Sequence, residues 1–464
     1  MADHFPSGSS ETFLAPASSA TVPATLPLGE QSALAPVRFE ERISALDTVR
    51  GFALLGILVM NINQFALPYS AYSNPAPAGG ATGWNLFVWV VTEILADGKM
   101  RAIFSLAFGA SVLLLVERLS RKGAGVDAAD IHYRRMLWLL LFGMIHAYLI
   151  WFGDILFPYA MMGLLLFPLR KLSARALLIT AGIMILVMTG DLVRIYFHQK
   201  NEQREYAQIL ADEKAGKELS TDQKDTKKDW EDTLKEFSPA PDDLKKEIDA
   251  HRGSYFQLLG FRSQQVFALH SIPIYLPILF DYLAMMLCGM AFLKLGILTA
   301  ARSVRFYVWM ALLSFAVGLP AHAWAVWWFW KHQFSIESLG LFGIAYEIGR
   351  ITAFGYISVL LLVMKLNLWK PATDRLAAVG RMAFSNYILT SVICSILFNG
   401  YGFGLFGKLQ RYQLYGVVLF VWSVILVVSP IWLRHFRFGP LEWLWRSLTY
   451  WKKQPFRIRG QVAA

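Results

Sequence analysis

Cysteine is almost missing from this 464-residue chain: Cys288 and Cys394 are the only two, each inside an apolar run where packing accounts for it, and neither informs on redox compartment. Charge is scarce too, at 17% Asp, Glu, Lys and Arg, which excludes an ordinary soluble composition. The apolar runs are continuous and lack the two-residue alternation of spanning strands, which excludes an outer-membrane barrel. No CxxC, HExxH, P-loop or GxSxG pattern occurs, and no nucleic-acid motif accompanies the basic balance. Residues 1–40 are rich in Ala, Ser and Pro. They have neither the positive n-region nor the apolar core of a signal peptide, and read as a disordered cytoplasmic tail.

What is abundant is apolar: 56% hydrophobic and 14% aromatic residues, with a mean hydropathy of +0.42. Enough runs are long enough to cross a bilayer core of about 30 Å that the chain reads as a polytopic all-α membrane protein. Its net charge is +11, unevenly spread. Residues 197–262 hold 12 basic and 15 acidic side chains, which leaves 32 basic against 18 acidic elsewhere. A positive surplus in short loops beside spans marks the cytoplasmic side and attracts anionic lipid headgroups.

The first span lies in ISALDTVRGFALLGILVMNINQFALP, residues 43–68. With Arg50 at zero on a helix turning about 100° per residue, Asp47 falls near 60°, Asn61 near 20° and Asn63 near 220°. Asp47, Arg50 and Asn61 therefore share one stripe, and Asp47 and Arg50 form an i, i+3 pair. Such a stripe is costly against lipid and points into protein or a wet cavity. Alternatively, the pair anchors the helix at the membrane surface while Asn61 bonds between helices.

Further spans are predicted at 99–116, 135–152, 155–169, 176–196, 273–297, 306–330, 341–365, 382–399 and 413–433, about ten in all. Residues 84–96 read as an interfacial helix, because 13 residues carrying Glu93 are too short and polar for a crossing. The boundaries are a tail at 1–40, an N-terminal bundle at 41–196, a charged helical insert at 197–262 on the periplasmic side, a C-terminal bundle at 263–436 and a basic cytoplasmic tail at 437–464.

This topology gathers eight titratable residues toward the outer side: Asp97, Lys99, His146, Asp154, His270, Asp281, His322 and Glu347. Ionisable groups inside spans mark function and call for partners. One reading is a cavity open outward, with His146 or His270 as general base oriented by Asp154 or Asp281. The plainer one is structural hydrogen bonding near helix ends. Asp47, Arg50, Asn61, Lys99, His322, Glu347, Arg350, Arg381 and Asn386 are the candidate substrate contacts. Glu347 and Arg350 are i, i+3 neighbours, and Arg381, Ser385, Asn386 and Tyr387 open another span with polar groups. No metal site is expected. Trp324, Trp327, Trp328 and Trp330 read as an aromatic belt, and GYGFG at 400–404 as an outer turn.

The segments ALDTVRGFALLGILVMNI, DGKMRAIFSLAFGAS, WFGDILFPYA, VGRMAFSNYILTS and WLRHFRFGPLEWLWRSLTY resemble the YeiB-like family of bacterial inner-membrane proteins, over nearly the whole chain from 43 to 453. The resemblance implies a multi-pass protein of the bacterial inner (cytoplasmic) membrane, among membrane lipids, with both termini cytoplasmic. Its opening motif is similar to that of membrane acyltransferases of the heparan-acetyltransferase type, which carry an acyl group from a cytoplasmic thioester to an acceptor outside. That likeness implies acyl-CoA as co-substrate, no bound cofactor, and an envelope glycan or lipid as acceptor. Those enzymes look to use a His near the outer end of the first spans. Here the loop after Asn63 has none, so the base falls to His146, His270 or His322. A transporter or export factor for a small solute or envelope precursor is the alternative. The oligomeric state is not readable from the sequence.

Overall fold

The computed structural model describes residues 44–458 except 122, 124 and 125. The tail at 1–40 and the last residues of the chain lie outside the described residues. The protein is all-α: among the described residues the one β feature is an isolated bridge between Phe436 and Arg457.

Seven helical stretches among the described residues are long and apolar enough to cross a membrane, or eight if one bent pair counts as a span. The first half holds α1 (Ser44–Ala66), the single turn α2 (Ser70–Ser73), α3 (Gly83–Leu95), α4 (Lys99–Arg121), α5 (Asp127–Leu149) and α6 (Leu156–Leu169). The predicted crossings at 135–152 and 155–169 correspond to α5, which carries Arg134 and Arg135, and to α6, which is only 14 residues long. These two account for most of the difference from ten. α3 does form separately, but α3 and α4 together make a 39-residue apolar stretch, Gly83–Arg121, broken at Gly98, whose φ of 71° needs glycine.

α7 (Ala174–Lys214) is one continuous 41-residue helix, so no break marks position 197. At about 1.5 Å per residue it runs near 60 Å, twice a bilayer core, and carries the chain well past the membrane. The insert continues as α8 (Thr221–Phe237), α9 (Pro241–Arg252) and α10 (Tyr255–Leu269). Ser220 with Gln223 and Ser254 with Gln257 form capping boxes that start α8 and α10. The second half comprises α11 (Ile272–Lys294), α12 (Val304–Lys331), α13 (Ile336–Gly349), α14 (Thr352–Lys365), α15 (Lys370–Arg381), α16 (Ala383–Phe398), α17 (Arg411–His435) and α18 (Pro440–Thr449). α15 and α16 are the bent pair, turned by 83° at Met382.

Glycines set the two closest crossings. A methyl group at Gly380 of α15 would land on the Asp47 carbonyl oxygen of α1, and one at Gly51 on that of Leu376. Gly109 and Gly289 bring α4 and α11 together in the same way, against Met286 and Leu106. Lipid offers no hydrophobic gain for pairing helices, so backbone approach at small residues supplies the contact energy. α1 is the centre, with 78% of its apolar window buried, whereas α7 buries 11% and α12 22%. The bare faces of α7 and α12, such as Leu186, Val187, Trp309 and Leu313, are the surface a bilayer would cover.

The insert docks on one end of the bundle. Its few apolar residues do the work: Trp230 and Phe237 pack with Trp89, Phe329, Phe334 and Ile336. Glu247 accepts the Tyr69 N–H at 2.8 Å, and Arg252 Nε donates to the Phe406 carbonyl at 2.8 Å. The His251 ring lies flat on Phe406, centroids 3.9 Å apart. At the opposite end, where the last turn of α4 and the start of α5 bring their arginines, amphipathic α18 lies against α5 and α16.

Candidate functional site

A cavity of about 200 Å³ opens inside the bundle between α1, α4, α5, α6, α15, α16 and α18. Its basic end is lined by Arg50, Arg118, Arg135, Arg381 and Arg446, all half-buried. Among the described residues two carboxylates line it, Asp47 and Glu442, and both are engaged. Asp47 accepts from Arg50 at 2.8 Å, and Arg50 also reaches Ser111 Oγ at 2.6 Å and the Gly380 carbonyl at 3.1 Å. Glu442 accepts from the Phe384 and Ser385 amides at 2.7 and 3.1 Å and from the Ser385 hydroxyl at 2.5 Å, capping the start of α16. Burial pushes its carboxyl above the ordinary glutamate range, against the pull of these hydrogen bonds. Trp445 stacks on Arg135, with the guanidinium 3.7 Å from the ring centroid.

From that end the wall turns apolar. Along α4 the lining runs Arg118, Leu115, Ser111, Phe108 and Phe104, a helical stripe about 21 Å long at about 1.5 Å per residue. The cavity is thus a slot with a cationic mouth and a hydrophobic far end, where Leu156, Tyr159 and Tyr387 close it.

Just past that end sits the histidine–aspartate pair. α5 ends at the turn WFGDILFP, which folds tightly because Gly143 leaves room for the Phe157 backbone. His146 Nδ1 is 2.8 Å from Asp154 Oδ1, and Asp154 Oδ2 accepts the Phe157 N–H at 2.6 Å. Both side chains are 1% exposed. With Nδ1–H donating to the Asp154 carboxylate, Nε2 is left as the basic nitrogen, and it has no hydrogen-bond partner among the described residues. The Tyr387 ring is 4.9 Å from the imidazole. Tyr387 also lines a second, small cavity of about 10 Å³ with Asn61, Phe65, Trp151, Thr390 and Ser391, room for about one water. Among the described residues it alone is common to the linings of the two cavities.

The eight outer titratable groups fall into two sets. The first is His146 and Asp154, with His270 within electrostatic reach of Asp154 and its ring stacked on Phe157 at 4.6 Å. The second is a buried ionic network across α3, α4, α11, α12 and α13. Lys99 bonds to His322 Nδ1 and, at 2.7 Å, to the Glu93 carbonyl; His322 Nε2 lies 3.8 Å from the Glu93 carboxylate. Tyr72 and Tyr346 donate to Asp97 at 3.2 and 2.8 Å. Asp281 binds Arg350 and, at 3.2 Å, Arg101, while Arg350 also pairs with Glu347. Asp281 therefore serves two arginines rather than orienting a histidine. The network borders the slot through Tyr159, whose hydroxyl is 2.6 Å from Ser105 and whose ring meets Tyr282.

Of the predicted residues, Asp47, Arg50 and Arg381 line the slot and Asn61 lines the small cavity beyond Tyr387. Lys99, His322, Glu347 and Arg350 lie in the network. Asn386 is consumed by the Val379 carbonyl at 3.1 Å and Ser429 at 2.9 Å, joining the α15–α16 bend to α17. The sequence analysis gives Arg118, Arg135, Arg446 and Glu442 no site role, and names Tyr387 only among the polar groups that open a span and could line a substrate path. For Glu442, the signal was an acid among the aromatic residues of FGPLEWLWRSLTY.

Residues 292–452 match a family model described as "Protein of unknown function (DUF418)". The chain is 30% identical over 439 residues to "Uncharacterized protein YxaH" of Bacillus subtilis (strain 168), covering 93% of this chain and all of that one. It is 30% identical over 424 residues to "Uncharacterized protein YeiB" of Escherichia coli (strain K12), covering 88% and 96%. A Bacillus acidopullulyticus relative, "Uncharacterized 39.9 kDa protein in amylase 3'region", is 27% identical over 430 residues, 92% of this chain. No solved structure matches the chain. With the apolar bundle, the DUF418 segment and these near-full-length bacterial relatives together, the chain belongs to the YeiB-like family.

Proposed function

We propose that this protein transfers an acyl group from a thioester donor, acyl-CoA, to a hydroxyl of an envelope glycan or lipid, in the bacterial inner membrane with the arginine end facing the cytoplasm. One observation carries the reading: a buried His146–Asp154 pair, its Nε2 without a hydrogen-bond partner among the described residues, stands at the apolar end of a slot whose other end is cationic. The surplus of basic residues at the arginine end supports the orientation.

In the reaction, His146 Nε2 takes the proton of the acceptor hydroxyl as its oxygen attacks the thioester carbonyl. The carbon–sulfur bond breaks, and the departing thiolate receives the proton from the imidazolium. Asp154 holds the tautomer and stabilises the positive ring. The apolar lining between Phe104 and Tyr387 suits the acyl chain. Protein in nanodiscs, given radiolabelled acyl-CoA and a panel of glycan and lipid acceptors, is expected to release CoA and label an acceptor. His146→Ala should lower turnover by roughly 10² to 10⁴, the usual worth of a general base. No release of CoA with any donor, or full activity in His146→Ala, overturns the proposal.

A transport reading draws on a different observation. Asp281 is shared by Arg101 and Arg350, and Arg350 by Asp281 and Glu347, so these pairs have alternative partners for an exchange. Solute flux into vesicles without any acyl donor would favour it.

A further inference from the structure

We infer that the arginine end of the slot is a binding site for a phosphate- or diphosphate-bearing head joined to a hydrocarbon chain. This deepens the proposal above, resting on the same slot, and names what its mouth recognises.

The charge count comes first. Among the described residues, five guanidinium groups and two carboxylates line one cavity. Asp47 is spent on Arg50 and Glu442 on the first turn of α16. Arginines that merely obey the positive-inside rule can spread over the lipid-facing rim. These five instead come from α1, α4, α5, the end of α15 and α18, and converge on one space. Planar guanidinium groups match phosphate oxygens two at a time, and several of them around one site select a polyanion over a single carboxylate.

The shape supplies the second half. Phosphate alone needs no apolar extension, yet the α4 wall leads from Arg118 to Phe104 over about 21 Å, with Leu139, Leu156 and Phe384 facing in from other helices. A ligand with a charged head at Arg118 and a chain reaching Tyr387 fills both ends. Two sources share this chemistry: a membrane lipid with a phosphomonoester or diphosphate head, and a soluble thioester on a phosphate-bearing carrier.

The natural reporter is Trp445, which sits on Arg135 within the lining. Detergent-purified full-length protein is titrated, by tryptophan fluorescence and native mass spectrometry, with dioctanoyl phosphatidic acid, dioctanoylglycerol, palmitoyl-CoA and palmitoyl-N-acetylcysteamine. The two phosphate-bearing amphiphiles are expected to bind at least tenfold tighter than their phosphate-free counterparts and to weaken with salt. Arg118→Gln and Arg381→Gln should each lose at least tenfold for the phosphate-bearing pair only, and the Arg→Lys versions should lose less, with melting curves showing that each variant is folded. Tighter palmitoyl-CoA assigns the soluble source, and tighter phosphatidic acid the lipid source; both support the site. Equal binding with and without phosphate, or unchanged binding in folded Arg→Gln variants, overturns it. Phosphate selectivity that persists while no donor is ever turned over sinks acyl transfer alone, whereas turnover without phosphate selectivity sinks this site alone.

Discussion

Replacing Glu442 by Ala should loosen the first turn of α16 and with it the wall of the slot. α16 begins abruptly after an 83° bend, so the amides of Phe384 and Ser385 have no carbonyl one turn back to bond to. Glu442, from a helix 57 and 58 residues further along the chain, fills that need with bonds of 2.7 and 3.1 Å. Hydrogen bonds to a charged acceptor contribute about 1.5–3 kcal/mol each, reduced here because burying the carboxylate is itself costly. Two orphaned amides then come to about 3 kcal/mol, since the Ser385 hydroxyl can turn to another acceptor. At about 1.4 kcal/mol per decade, opening of the turn becomes roughly 100-fold more frequent. Glu442→Gln keeps one carbonyl oxygen and should cost about 1 kcal/mol. Hydrogen exchange by mass spectrometry in nanodiscs reads this directly on the peptide covering 383–390. Exchange in folded Glu442→Ala within threefold of wild type would refute the capping argument, and with it the claim that α18 holds this wall of the slot.

Other outcomes are open to direct measurement. Gly380→Ala puts a methyl on the Asp47 carbonyl, so α1 and α15 must part, at about 1–3 kcal/mol in detergent unfolding; an unchanged melting temperature would contradict the close crossing. Asp154→Asn should keep the fold yet lower acyl turnover more than donor binding, since it disturbs only the tautomer of His146; an equal loss in both would argue for a merely structural pair. Asp281→Asn leaves Arg101 and Arg350 sharing a neutral partner and should destabilise the bundle by about 3 kcal/mol or more, against less than 1 for the exposed pair-breaker Asp374→Asn. On the insert, burial raises Glu247 to about 7 and lowers His251, which faces Arg262 and Phe406, to about 4. A raised acid weakens docking as pH climbs from about 4.5 through 7, and a depressed base weakens it as pH falls from about 6.5 through 4, so wild-type docking should be nearly flat between about pH 5 and 6.5. Limited proteolysis of the insert should then show Glu247→Gln docking more firmly with rising pH and His251→Phe less firmly; parallel profiles would sink the linkage.

The parts of the site that came from one stretch of chain were legible in the sequence. Asp47 and Arg50 are three residues apart on one helix, and helical geometry alone puts them together. His146 and Asp154 flank a single tight turn, so they too could be paired on paper. Residues whose partners come from distant segments were not. Asp281 looked available to His270, but Arg101 and Arg350 reach it from other helices, 180 and 69 positions away. Asn386 looked like a substrate contact until Ser429 of α17 claimed it. Arg50 and Arg381 stand out in the sequence as candidate contacts, whereas the positive-inside rule accounts for Arg118, Arg135 and Arg446 one by one. That rule is blind to convergence, which depends on how five helices pack.

The same packing decides what Tyr387 can do. Two turns of α1 separate Arg50 from Ile57 and three separate it from Asn61, and the sequence puts Arg50 and Asn61 on one stripe of that helix. The structure divides the stripe: Arg50 lies in the slot, Asn61 in the small cavity, and the Tyr387 ring stands between them with His146 at its edge. The Tyr387 hydroxyl accepts the Ile155 N–H at 3.2 Å, so the ring is fixed to the same turn that carries Asp154. A partition tied to the base is what a transfer across the membrane needs, because a donor chain and an acceptor hydroxyl must meet at one nitrogen without the two sides being joined by water. Tyr387→Phe keeps the partition and loses only the tie, whereas Tyr387→Ala joins the cavities. If the partition argument is right, Tyr387→Ala should raise hydrolysis of the donor relative to transfer, and Tyr387→Phe should leave that ratio near wild type. Equal ratios in the two variants would mean that water is excluded elsewhere.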